Sequence, residues 1–118
     1  MSCLYSHLTA VSGDIELRLK PQLTGLAGMM IKPYLPQSWV FETESETVSL
    51  VVDAQGNVSA VRGAASRPDV TIATSHARLE AALRTRDASQ VPPGPLTVTP
   101  HTGKGRTAFE FLRPRLGL

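Results

Sequence analysis

The strongest constraint on this chain is a switch to period-two patterning between Trp39 and Thr74. In WVFETE, Trp39 and Phe41 fall on one side of an extended chain, and Val40, Glu42 and Glu44 on the other. TVSLVVD repeats the pattern with Val48, Leu50 and Val52, NVSAVR with Val58 and Ala60, and DVTIAT with Val70 and Ile72. Each run therefore offers one apolar face to a core. The connectors are short: Ser45 between glutamates, then AQGN, then GAASRP. Short connectors join antiparallel neighbours, which predicts a four-stranded meander.

The flanking segments change period. SHARLEAALRTRD has Leu79, Ala82 and Leu83 along one helical stripe, with Thr74 or Ser75 placed to cap it. ASQVPPGP reads as a rigid polar loop, PLTVTP as a fifth strand, and GRTAFEFL as a last helix stopped by Pro114. The first third supports two periods. Ile15, Leu17 and Leu19 alternate, yet Ile15, Leu19, Leu23, Leu26 and Met30 recur at helical spacing. The longer pattern favours a helix with Asp14 as N-cap or first-turn acid, bent or broken at Pro21. Gly25 and Gly28 then permit close packing next to an adaptable surface of Met29, Met30 and Ile31.

The resulting order is helix, four strands, helix, strand, helix. It predicts an α+β fold, with a sheet of about five strands, largely antiparallel, covered on one face by helices. A length of 118 residues with 42% hydrophobic content suits one packed core. Residues 1–118 are thus expected to form a single domain, with 1–13 as an N-terminal extension and 113–118 as a basic C-terminal tail. No stretch approaches the ~18 apolar residues of a membrane span. MSCLYSHLTAVSGD makes a poor signal peptide, and the lone Cys3 has no internal disulfide partner. The expected setting is cytoplasmic.

Charge is distributed unevenly. Residues 1–100 carry eight Lys and Arg against nine Asp and Glu, whereas 101–118 carry Lys104, Arg106, Arg113 and Arg115 against Glu110. The pI near 9.0 is therefore a property of the tail. Four cations without a nucleic-acid motif predict no nucleic-acid partner, but they offer a surface for transient contact with an anionic membrane.

Catalytic motifs are incomplete. A phosphate loop ending in Gly103-Lys104 needs glycine at 98 and a hydroxyl at 105, where the chain has Val98 and Gly105. Cys3 and His7 share a helical face, but two ligands do not make a metal site, so neither metal nor cofactor is expected. Glu42, Glu44 and Glu46 come closest to acid/base machinery, yet Thr47, Ser49 and Val51 across the hairpin form no apolar pocket to raise a carboxyl pKa. No G-x-S-x-G elbow selects a nucleophile. The expectation is a non-enzymatic protein.

From Asp14 to Leu112 the element order resembles the type-two sterol carrier protein family. The similarity is carried by the W-V-F strand entry, VSLVVDAQGNVSAVRG as paired strands, PDVTIATS leading into a capped helix, and GPLTVTPHTGKGRTAFEFL as the closing strand and helix. The resemblance implies an apolar tunnel between sheet and helices that holds sterols, fatty acyl chains or other lipids. Candidate tunnel residues are Leu26, Met29, Met30, Trp39, Phe41, Leu50, Leu79, Leu83, Phe109 and Leu112. The chain departs from the pattern in its proline-rich VPPGP loop, in a lengthened TPHTGKG turn, and in RPRLGL, which lacks the Ser-Lys-Leu type of peroxisomal address.

Two function classes follow. One is a module that binds or transfers an apolar small molecule. The other is an interaction or homodimerisation module on the same fold, with a filled core and no ligand.

Overall fold

The computed structural model describes residues 4–113, apart from the side chains of residues 25–27. Helix α1 spans Leu4–Gln22, α2 Gly25–Ile31, and a 3-10 turn follows at Lys32–Tyr34. Strands β1 (Gln37–Glu42), β2 (Thr47–Val52), β3 (Val58–Arg62) and β4 (Val70–Thr74) precede α3 (His76–Thr85). A 3-10 turn at Ala88–Gln90, β5 (Leu96–Pro100) and α4 (Gly103–Leu112) complete the chain. The fold is α+β, as the element pattern predicted.

The five strands lie in the order β3-β2-β1-β4-β5. All pairs are antiparallel except β1 with β4, which run parallel with Trp39 opposite Val70 and Phe41 opposite Ile72. The expected four-stranded meander is therefore corrected to three strands, with the fourth inserted on the far side of β1. The linker after β3 explains the change. Ser49 on β2 donates from its hydroxyl to the Gly63 carbonyl at 2.7 Å and accepts from the Ala65 amide at 2.9 Å, so the linker is held across the helix-free side of β2. Its bends use positive φ at Gly63 (87°) and Arg67 (53°). Asp69 then docks on β1, its amide donating to the Ser38 carbonyl at 2.7 Å, while its carboxylate accepts from the Ser38 amide at 2.9 Å.

One sheet face carries the core. Trp39 and Leu50, Phe41 and Val48, and Val70 and Ile72 are buried there against Leu79, Ala82 and Leu83 of α3 and Phe109 of α4. Trp39 and Phe109 meet edge-to-face, with ring centroids 5.5 Å apart.

The N-terminal extension expected over residues 1–13 is also corrected, because α1 already begins at Leu4. Leu4, Leu8 and Val11 are buried in the same cluster. They recur at i, i+4 and i+7, a helical stripe. Asp14, expected to start the helix, sits within it, and Pro21 falls one residue before its end. The Leu4 amide donates to Glu46 Oε1 at 2.8 Å, and the His76 amide that opens α3 donates to Glu44 Oε2 at 2.9 Å. Carboxylates suit helix N-termini, where amides lack intrahelical acceptors and the dipole is positive. Two of the three suspected acid/base glutamates thus tie helix starts to the β1–β2 hairpin.

Candidate functional site

A cavity of about 610 Å³ opens between the sheet and the helices. Its position follows from α1. The first half of that helix packs its apolar stripe into the core, and the second half turns Asp14, Ile15, Arg18, Leu19 and Gln22 toward the cavity together with Val11. Those positions are three or four apart and so form one face.

The floor is β1 and β2, through Gln37, Trp39, Leu50 and Val52. Met30, Ile31, Tyr34 and Leu35 close one side, and Thr107, Ala108, Phe111 and Leu112 of α4 another. Arg86, just past α3, reaches the rim.

The polar groups of the floor are committed to one another. Trp39 Nε1 donates to Gln37 Oε1 at 2.9 Å, and Gln37 Nε2 donates to the Tyr34 carbonyl at 2.7 Å. Buried polar groups that are mutually satisfied cost little and leave an apolar wall. At the rim, the Arg86 guanidinium bonds the Asp14 carboxylate and links α3 to α1. Arg86 also caps α3 in a left-handed conformation (φ 54°), its amide donating to the Ala82 carbonyl at 2.7 Å. The cavity is therefore apolar within and charged at its edge.

The ten candidate tunnel residues divide. Met30, Trp39, Leu50 and Leu112 line the cavity. Phe41, Leu79, Leu83 and Phe109 do not; they are buried in the packed core beside it. Met29 is exposed at 71% and outside the lining, and the Leu26 side chain lies outside the described residues. Sequence reasoning missed the α1 contribution, above all Ile15 and Leu19, although their helical spacing was visible. It also missed Phe111, whose signal was its place four residues after Thr107 and one before Leu112.

The glycine-lysine stretch is occupied by structure. Thr102 caps α4, its hydroxyl oxygen accepting from the Gly105 amide at 3.0 Å and its proton going to Asp69 Oδ1 at 2.9 Å. Lys104 Nζ donates to the Pro36 carbonyl at 2.6 Å and lies 3.8 Å from Asp69 Oδ1. These contacts anchor the helix that forms one cavity wall. Among the described residues, no group of three or more His, Cys, Asp or Glu side chains could hold a metal, and no helix is long and apolar enough to cross a membrane. Cys3 and the tail beyond Arg113 lie outside the described residues.

No family model matches the chain, and no curated protein matches it. Among solved structures, a chain described as "UbiJ-SCP2 Ubiquinone synthesis protein" is 18% identical over 90% of this chain and 88% of that one, with a TM-score of 0.46.

Proposed function

We propose that this domain binds an apolar or amphiphilic small molecule, such as a lipid, sterol or fatty acyl chain, in the cavity between sheet and helices. It carries or presents that molecule without covalent chemistry. The observation that supports the reading is the cavity itself: about 610 Å³, walled mainly by aliphatic and aromatic side chains. Ligand sites are concave, mostly apolar and typically ~300–1,000 Å³, with a few polar groups that set orientation. Here the charged groups stand at the rim, and Gln37 in the floor is already bonded to Trp39 and to the Tyr34 carbonyl, so the ligand's polar end belongs at the mouth and its apolar body on Trp39 and Leu50. A filled interaction module fits less well, since the apolar side chains of α1 and α4 face unfilled space.

The test is organic extraction of purified protein followed by mass spectrometry, with titration of a delipidated sample by a fluorescent fatty acid. A saturable signal with one site per chain, accompanied by a change in Trp39 emission, is the expected result. Protein that carries no extractable lipid and takes up no probe would remove the proposal.

A further inference from the structure

The mouth of the cavity carries exposed apolar side chains that the ligand reading leaves unexplained. Met30 and Phe111 both line the cavity, yet are 76% and 67% exposed, and Met29 beside them is 71% exposed. Tyr34, also at the cavity, is 39% exposed. Isolated exposed hydrophobes are ordinary, but several gathered on one rim mark an interaction surface.

Charge indicates what that surface meets. Residues 17–41, which supply α2 and the turn after it, contain Arg18, Lys20 and Lys32 and no aspartate or glutamate. Arg18 lines the cavity, and Lys32 directly follows the lining residue Ile31. The acid of the rim, Asp14, is bonded to Arg86. Glu110 of α4 is the neighbouring carboxylate on the Phe111 side. The α2 side of the mouth therefore combines unbranched and aromatic apolar groups with cations. Tyr34 adds a ring with one apolar and one polar end, a residue type favoured at membrane interfaces.

We infer that the cavity mouth, through Met29, Met30, Tyr34 and Phe111 with Arg18 and Lys32, docks on an anionic lipid surface. Long cationic side chains can lay their stems on apolar surface while their heads meet lipid phosphates, and methionines adapt to an irregular acyl boundary. A second copy of this chain is a poorer occupant, because a two-fold contact on α2 would set Lys32 and Arg18 against their own kind. The docking surface shares Arg18, Met30, Tyr34 and Phe111 with the cavity lining and adds Met29 and Lys32 outside it, and vesicle binding is measured without any ligand.

The experiment is flotation of the full chain with phosphatidylcholine vesicles containing about a third phosphatidylserine, against pure phosphatidylcholine, at low and high salt. The chain is expected to float with the anionic vesicles and to be released by salt. Met29→Ser/Phe111→Ser, and separately Lys32→Glu, are expected to weaken partition by about tenfold or more. Leu17→Ser should leave it unchanged, since Leu17 is 77% exposed but not part of the cavity lining.

Equal loss in the Leu17 variant would make the binding unspecific stickiness and overturn the proposal. So would binding abolished by removing residues 114–118 but insensitive to the mouth variants. A concentration-dependent dimer that the mouth variants dissociate, without vesicle binding by the parent chain, would assign the surface to a second copy instead. Fatty acid uptake measured on the Lys32→Glu variant, whose substitution lies outside the cavity lining, separates failure of docking from failure of the cavity.

Discussion

A Cβ placed on Gly105 would lie 2.5 Å from the carbonyl oxygen of Asp69 and 2.9 Å from its carbonyl carbon. The first turn of α4 therefore rests directly on the backbone that leads into β4. The same residue's side chain receives Thr102 and Ser38, so three segments converge on Asp69. The glycine after Lys104 is a packing requirement, and the lysine holds the joint from outside through Pro36.

Gly105→Ala is accordingly expected to destabilise the domain, because the obstacle is backbone and cannot swing aside as a flexible side chain would. Overpacking of this kind costs about 1–3 kcal/mol. Urea unfolding should show the loss. Gly103→Ala, where an added Cβ meets nothing within 4 Å, is the matched control and should be neutral or slightly stabilising.

Leu8→Ala tests the N-terminal half of α1. Leu8 is fully buried in the core cluster, and truncating such a leucine costs about 2–5 kcal/mol. A domain in which residues 1–13 were only an extension would lose almost nothing. Removal of the Glu46 carboxylate by Glu46→Gln should give a smaller loss, about 0.5–2 kcal/mol, in line with other helix N-terminal partners.

The sheet was legible because its information is local. Alternation in TVSLVVD or DVTIAT fixes both the strand and its inward face: Val48 and Leu50 lie opposite Phe41 and Trp39, and Val70 and Ile72 lie beside the same two residues, although a meander would have set them against β3. Strand order was not legible, because it goes with long-range contacts, such as those of Ser49 on β2 with Gly63 and Ala65 in the linker. A serine in a strand gives no hint of that contact. The start of α1 was hidden for another reason: Leu4, Leu8 and Val11 carry helical spacing, but serine, histidine and threonine between them weaken the run, and Ser12-Gly13-Asp14 imitates a helix start. Lining and core could not be separated either. Phe41 and Leu50 obey the same period-two rule, and only the placement of α1 and α4 leaves one covered and the other facing space.

Acid should weaken the domain through three carboxylates. Asp53 is held below its usual pKa by the Asn57 side chain and then the Asn57 amide, which donates to Oδ1 at 2.9 Å. Asp87 is lowered by the Ser89 hydroxyl and then the Gln90 amide group, and Glu44 by its own backbone amide and then that of His76. A carboxyl with a depressed folded pKa stabilises the native state fully above its unfolded value, about 4. That contribution is lost as pH falls through the lower folded value. The thermal midpoint should thus be flat above about pH 5 and decline below about pH 4. Asp53→Asn should be less stable near neutrality and show a shallower decline, which calorimetry across this range would reveal.

The cavity itself is tested by filling it. Ile15 on α1 and Leu112 on α4 face it from two sides, and both are only partly buried against the core. Replacing both with tryptophan places rings in existing space rather than in packed core. The usual cost of enlarging a residue, about 1–3 kcal/mol, should therefore be largely absent. Burial of the added apolar area, at about 25 cal/mol per Å², should hold or raise the thermal midpoint. Fatty acid affinity should fall by about tenfold or more, equivalent to at least about 1.4 kcal/mol of lost binding. A double variant that keeps its stability and loses uptake separates cavity from core. Unchanged uptake would mean that the probe binds elsewhere on the chain, and a collapsed midpoint would mean that Ile15 and Leu112 belong to the packed core.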